Sequence, residues 1–218
     1  MASDVGSHLG AVRTRTAEAD VWFAWVDEHA AAVDRLAMDV LSAAERERTA
    51  GYRNIEAAGR YVITRTLVRR VLGERLGVAP RDVRIRVTDM GKPVVSDDIH
   101  FNVSHSGDLI MMALSGDRAV GIDVERRREV GRAGALIARW LTLVEQREVA
   151  AWITAGLTES DAFLRVWSVK EARLKAVGVG ISGANTADLT DVVAVGLDDL
   201  LSAGPRDAAG YVGAVAFA

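Results

Sequence analysis

Twice along this chain a helix that opens on a capping box is followed by a longer helix and then by apolar strands. In the first half, Ser42 stands three residues before Glu45 at the start of SAAERERTAGYRN. The run AAGRYVITRTLVRRVLGERLG (57–77) then places Val62, Ile63, Thr66, Leu67, Val71 and Leu72 at helical spacing, and Gly77 and Pro80 stop it. In the second half, Thr142 and Glu145 open TLVEQREVAAWI, and DAFLRVWSVKEARLKAV (161–177) is an amphipathic helix. The strand readings are DVWFAWV (20–26), VRIRV (83–87), IHFNVS and LIMMALS joined by an HSGD turn, AVGIDVE, DVVAVGL and YVGAVAFA. Long helices on mostly antiparallel strands predict an α+β fold. The repeated order predicts two similar lobes. The expected organisation is a loose N-terminal tail (1–19), an N-terminal lobe (20–116) and a C-terminal lobe (117–218).

With 218 residues, half of them hydrophobic, the chain can bury a substantial core. Its net charge of −3 argues against a protein that lives on nucleic acid, which usually carries a basic excess. The absence of cysteine excludes disulfides, thiolate nucleophiles and zinc–thiolate sites, and permits a reducing compartment. The first twenty residues are polar, without the apolar core of a signal peptide, and no apolar run is long enough to span a bilayer. A cytoplasmic protein without membrane contact is therefore expected.

Asp123 and Glu125 sit two residues apart in an otherwise apolar strand, so their side chains share one face. Two such carboxylates repel unless a cation or water screens them. Arg126, Arg127 and Arg128 follow at once and could neutralise both, which makes an ordinary solvated strand edge at least as good a reading as a metal site. A third acid, Glu171, lies inside the helix WSVKEARLKAVG, with Lys175 one turn later. That spacing is also that of a simple i,i+4 ion pair. Three carboxylates with neighbouring cations nevertheless suit a hard divalent ion such as magnesium, which takes its remaining oxygens from water or a phosphate. Lys92, Ser104, His105 and Ser106, in GKPVVSDDIHFNVSHSG, are donors of the kind that bind phosphate oxygens. A turn lysine and a strand-end histidine are the plainer alternatives. Adjacent Ser104 and His105 diverge on a strand, which disfavours a Ser/His hydrolase, and no Walker A or dinucleotide fingerprint is present. The arginines 46, 48, 53, 60 and 65 could serve a polyanion, although such a helix face is more often solvated.

In order and spacing, GKP, FNVSHSG, VGIDVE and WSVKEARLK resemble the signature of the 4′-phosphopantetheinyl transferases of the surfactin-synthetase (Sfp) type, over roughly residues 42–182. The resemblance implies an enzyme that transfers the 4′-phosphopantetheine arm of coenzyme A to a serine of an apo carrier protein with Mg²⁺, releasing adenosine 3′,5′-bisphosphate. It implies a pseudo-dimer of two similar α/β lobes with the active site between them. By position it implies that Asp123, Glu125 and Glu171 hold the magnesium, and that Lys175 binds a phosphate. Lys92 becomes another coenzyme A contact, Ser104 and His105 a pair near the nucleotide phosphates, and Arg48 and Arg60 basic residues around the 3′-phosphate. Glu145 falls where the family has a further acid near the metal, and Glu171 is the natural base for the carrier serine. Glu45 and Tyr61 depart from the family, whose members often have a cation and a small hydroxyl residue there. The resemblance leaves carriers of fatty-acid, polyketide and non-ribosomal peptide synthases all open, implies a setting in secondary metabolite biosynthesis, and makes a monomer the expectation. The main rival is a magnesium-dependent nuclease or phosphodiesterase, which gathers the same residue types but should show a basic face. A non-enzymatic module that binds carriers or nucleotides is the second rival.

Overall fold

A computed structural model describes residues 12–16, 18–180, 189, 191–202 and 208–218. The chain begins with β1 (Val12–Arg15) and β2 (Asp20–Trp25), then the short α1 (Val26–His29), α2 (Val33–Val40), α3 (Ala43–Ala50) and α4 (Ile55–Leu76). A small hairpin of β3 (Arg86–Val87) and β4 (Pro93–Val94) precedes β5 (His100–Ser106), β6 (Leu109–Ser115) and β7 (Val120–Arg126). Next come α5 (Ala133–Trp140), α6 (Leu143–Thr154) and α7 (Glu159–Val177), and the chain closes with β8 (Val193–Gly196), α8 (Asp198–Ser202) and β9 (Tyr211–Phe217). The α+β expectation holds.

The strands form two larger antiparallel sheets, ordered β1-β2-β6-β5 and β7-β9-β8. Strand alternation assigns their faces. Trp22 and Ala24 of β2 and Ile110, Met112 and Leu114 of β6 join α2 and α4 in one core. Val21, Phe23 and Trp25, with Leu109, Met111 and Ala113, point the other way, onto Ile122, Val124, Tyr211 and Val215 of the second sheet. In that inner layer the Trp25 and Tyr211 rings meet edge-on, 5.7 Å apart. The outer face of the second sheet, through Val212, Ala214 and Ala216, carries α7. The layers therefore run helix, sheet, sheet, helix.

Both capping boxes form. The Ser42 and Thr142 hydroxyls each accept from the N–H three residues on, and Glu45 and Glu145 each reach back to the cap. Each glutamate also takes a cation from the longer helix that follows: Arg65 and Arg69 pair with Glu45, and Lys170 donates to Glu145 at 2.8 Å. Burial pushes the Glu45 carboxyl up, and its arginine and N–H partners outweigh that, leaving it below the usual range.

Several elements differ from the sequence reading. Residues 12–15, within the stretch expected to be a loose tail, pair with β2 along its edge. VRTR has no apolar run to signal a strand, and only its partner gives it one. VRIRV contributes only Arg86 and Val87 to a strand. His105 and Ser106 belong to β5 rather than to the turn, because the ladder with β6 continues through Ser106↔Leu109. The helices α2 and α5 escaped notice. Their signal was present all the same: Val33, Leu36, Ala37 and Val40 of α2, and Ala133, Leu136, Ile137 and Trp140 of α5, stand at helical spacing, each over only eight residues.

Candidate active site

The two sheets meet where β5 lies beside β7, and side chains make the junction. Asn102 Oδ1 accepts the Ile122 N–H at 3.1 Å, Ser104 Oγ the Val124 N–H at 3.3 Å, and Ser106 Oγ the Arg126 N–H at 3.0 Å. Both numbers rise together, so the strands run in the same direction along this seam. With Ile122 and Val124 turned into the inner core, Gly121, Asp123 and Glu125 face α7. Helix α7 lies so close that a Cβ on Gly121 would stand 2.1 Å from the Ala172 carbonyl oxygen and 2.4 Å from Ala176 N. This approach, open to glycine alone, brings Glu171 and Lys175 to the acids of β7.

Asp123 is buried. Its Oδ1 accepts from Ser104 Oγ at 2.9 Å and from Lys175 Nζ at 2.6 Å. Its Oδ2 is buried and has no hydrogen-bond partner among the described residues. The Lys175 ammonium also donates to Ser104 Oγ at 3.2 Å and to the Ile122 carbonyl at 3.3 Å. The helical neighbour Glu171 thus does not receive Lys175; the ammonium crosses to the strand. Glu125 Oε2 accepts from Ser106 Oγ at 3.1 Å, with Arg128 at 4.0 Å. Of the other two arginines after the acids, Arg127 pairs instead with Asp161 and Asp198.

The electrostatics tie the three acids together. Burial raises the Asp123 carboxyl, and Lys175, Ser104 and the Val124 N–H oppose it only in part. Glu125 is raised by burial and then by the charge of Asp123. Glu171 is raised by burial, pulled back by Lys175, and raised again by Asp123 and Glu125. No group of three His, Cys, Asp or Glu side chains among the described residues is gathered tightly enough to form a metal cluster. The chemistry of Asp123, Glu125 and Glu171 is that of hard oxygen donors: the three carboxylates sense one another, each is harder to ionise than usual, and one buried oxygen lacks a partner among the described residues.

His105 points to the opposite face of β5 from Ser104, as strand alternation requires. Its imidazole is held below the ordinary value by desolvation, then by the positive charges of Arg60 and Lys175. Arg60, on α4, has a buried Nε without a partner among the described residues. The Arg48 guanidinium lies over the Tyr61 ring at 5.1 Å, and Tyr61 packs on Tyr52. A cavity of about 170 Å³ lined by Gly91, Lys92, Pro93, Asn102 and Gly178 reaches Lys175, and none of the three acids lines it. A larger one, about 470 Å³, lies behind α7 against Trp152, Arg165 and Val212 and holds none of the expected site residues.

Two expected residues are occupied elsewhere. Glu145 receives the Thr142 N–H at 2.7 Å and the nearly inaccessible Lys170 at 2.8 Å, and it is absent from the charges acting on Asp123, Glu125 and Glu171. Lys92 Nζ donates to the Lys175 carbonyl at 2.9 Å and to the Ala176 carbonyl at 2.8 Å, so it ties the β3–β4 hairpin to the last turn of α7. A cation there satisfies orphan carbonyls and the negative end of the helix dipole. Lys92→Met should lower stability by about 1–3 kcal/mol, the range for hydrogen bonds to a charged group with partial burial. Urea denaturation measures it, and an unchanged midpoint would refute the tie.

Sequence reasoning passed over Asn102 and Gly121. The alternation Asn-x-Ser-x-Ser from 102 to 106 was the available signal for the first, and the small residues Ala172 and Ala176 on the facing helix for the second.

A family model described as "4'-phosphopantetheinyl transferase, N-terminal" matches residues 27–116, and one described as "4'-phosphopantetheinyl transferase superfamily" matches residues 119–200. The chain belongs to the 4′-phosphopantetheinyl transferase superfamily. Among curated members, it is 32% identical over 160 residues to the phosphopantetheinyl transferase of a Thraustochytrium species, covering 67% of this chain and 56% of the relative. It is 31% identical over 135 residues to 4'-phosphopantetheinyl transferase gsp of Aneurinibacillus migulanus, covering 60% and 53%. To 4'-phosphopantetheinyl transferase Sfp of Bacillus subtilis it is 29% identical over 147 residues, covering 66% and 63%. This member of the superfamily thus spans about half the length of the first relatives it matches. The nuclease reading gains no support from these relatives, all of them phosphopantetheinyl transferases. Among the described residues no helix of this superfamily member is long and apolar enough to cross a membrane.

Proposed function

We propose that this chain transfers the 4′-phosphopantetheine group of coenzyme A to a serine of an apo acyl or peptidyl carrier protein, leaving adenosine 3′,5′-bisphosphate. The observation that carries the reading is the charge-coupled group Asp123, Glu125, Glu171 and Lys175, with its orphaned carboxylate oxygen, where β5, β7 and α7 converge. In the reaction the serine oxygen bonds to the phosphorus of the arm and the pyrophosphate P–O bond breaks. The serine proton passes to Glu171, the carboxylate that α7 brings to the acids of β7. Lys175 offsets the negative charge that develops on the phosphate oxygens. Arg48, Arg60 and His105 supply positive charge and donors for the rest of coenzyme A, and Lys92, already bonded to two α7 carbonyls, borders the adjoining cavity with its one remaining donor. Asp123, Glu125 and Glu171 would hold Mg²⁺, which when bound supplies Lewis-acid stabilisation of the pyrophosphate. Glu145 acts at a distance, by anchoring Lys170, the residue before Glu171.

The matched pair of capping-box glutamates, each clamped by a cation from the next helix, supports two similar lobes that divide near residue 117 with the site between them. On this reading the internal pairing of lobes makes the chain sufficient as a monomer, working in the cytoplasm on coenzyme A and a carrier.

The test is to incubate the protein with coenzyme A, Mg²⁺ and apo carriers from fatty-acid, polyketide and non-ribosomal peptide systems. At least one carrier should gain the mass of one phosphopantetheine, and chelation should abolish the gain. A folded, coenzyme A-binding protein that modifies no carrier would refute the activity.

A further inference from the structure

The seam between the sheets repeats one arrangement twice. Ser104 Oγ accepts the Val124 N–H at 3.3 Å and donates to Asp123 at 2.9 Å. Ser106 Oγ accepts the Arg126 N–H at 3.0 Å and donates to Glu125 at 3.1 Å. In each case the hydroxyl receives the amide of the residue after the acid and gives its proton to the acid itself. The repeat follows from period two on both strands, which run in the same direction at a constant offset of 20 residues. A hydroxyl has one proton and two acceptor positions. At Ser104 all three are engaged, since Lys175 Nζ takes the second acceptor position at 3.2 Å. At Ser106 the proton is committed to Glu125.

From this we infer that Ser104 and Ser106 are positioning residues: the first sheet uses them to aim the two carboxylates of the second, and neither hydroxyl has a proton left for a phosphate oxygen. The hydrogen bond accepted from the main-chain N–H occupies one acceptor position of each oxygen, which narrows the directions left to the proton given to the carboxylate. One oxygen of Asp123 is thereby held, and the other is turned to a buried place without a partner among the described residues. Asn102 makes the same kind of seam bond, accepting the Ile122 N–H, and has no hydrogen bond to a carboxylate among the described residues. It therefore separates holding the sheets together from aiming the acids.

The inference rests on the reading of Asp123 and Glu125 as cation ligands. Its test uses Mn²⁺ as the probe, by calorimetry and electron paramagnetic resonance on the whole chain without coenzyme A or carrier. Ser104→Ala and Ser106→Ala should each lose about 10–100-fold in Mn²⁺ affinity, the usual effect of removing a group that orients a metal ligand. Ser104→Thr and Ser106→Thr, which keep the hydroxyl, should recover most of it. Asn102→Ala should lower the melting temperature in chelator yet keep Mn²⁺ affinity. Coenzyme A affinity in chelator should be unchanged in both serine variants. Cysteine, nearly isosteric and a much weaker donor, replaces any alanine variant that does not fold. Alanine variants that bind Mn²⁺ like the wild type would sink the inference alone. So would an equal loss in Asn102→Ala, or a Ser104→Ala that loses coenzyme A affinity instead. A wild-type chain that does not bind Mn²⁺ would overturn the metal reading and this inference with it.

Discussion

Gly121→Ala is expected to destabilise the protein by about 3 kcal/mol or more, at the upper end for overpacking. The added Cβ would stand 2.1 Å from the Ala172 oxygen, 2.4 Å from Ala176 N and 2.9 Å from the Lys175 carbonyl carbon. All three are backbone atoms in the body of a helix, and no rotamer change removes them. Helix α7 has to move outward, away from both β7 and β9. That movement takes Lys175 off Asp123 and leaves a buried carboxylate without its cation. Urea denaturation measures the loss, and the transfer assay at a temperature where the variant is still folded measures its effect on the site. A variant within about 1 kcal/mol of wild type, less than the usual range for overpacking, would mean that the helix does not seat as closely as described.

The second large effect concerns Glu171. Glu171→Gln keeps the shape of the side chain and removes its charge and basicity. If it takes the serine proton, the rate at saturating coenzyme A, Mg²⁺ and carrier should fall by about 10²–10⁴, the range for a general base. That corresponds to about 3–5 kcal/mol of barrier. Coenzyme A binding should survive better than the rate, because Asp123 and Lys175 remain. The pH profile gives the sign. A base works only when deprotonated, so wild-type turnover should rise with pH through the titration of Glu171 in the metal-loaded enzyme. The glutamine variant should lose that rising limb. Single-turnover transfer is the deciding measurement, and a near wild-type rate would remove Glu171 from the role.

Much of this site could be read from local pattern. The period of two in VGIDVE put Asp123 and Glu125 on one face, and the structure turns that face to α7. The two capping boxes were visible from Ser42, Glu45, Thr142 and Glu145 because every interaction in them spans three residues. Pairings across the fold were not visible. Glu171 and Lys175 had the spacing of a helical ion pair, yet Lys175 bonds to Asp123, 52 residues away. Lys92 had the look of a phosphate donor, or of a plain turn lysine, and its ammonium bonds carbonyls of α7. Long flexible cations choose among acceptors that only the tertiary arrangement brings near, and no sequence period encodes that choice. The helices α2 and α5 were legible but passed over: Val33, Leu36, Ala37 and Val40, and Ala133, Leu136, Ile137 and Trp140, have the helical period, yet each stripe spans only two turns.

The bonds from Asn102, Ser104 and Ser106 have a consequence for how this protein can change. Within a sheet, main-chain pairing is nearly indifferent to which residues supply it, so substitutions rarely alter the connectivity. Between these two sheets the connection is spelled out in side chains, and each of its links can be deleted, strengthened or restored by a single codon. The two halves can therefore drift in how firmly they hold each other while the ladders inside each half stay intact. Mutation can tune the join between the halves separately from the folding of either one.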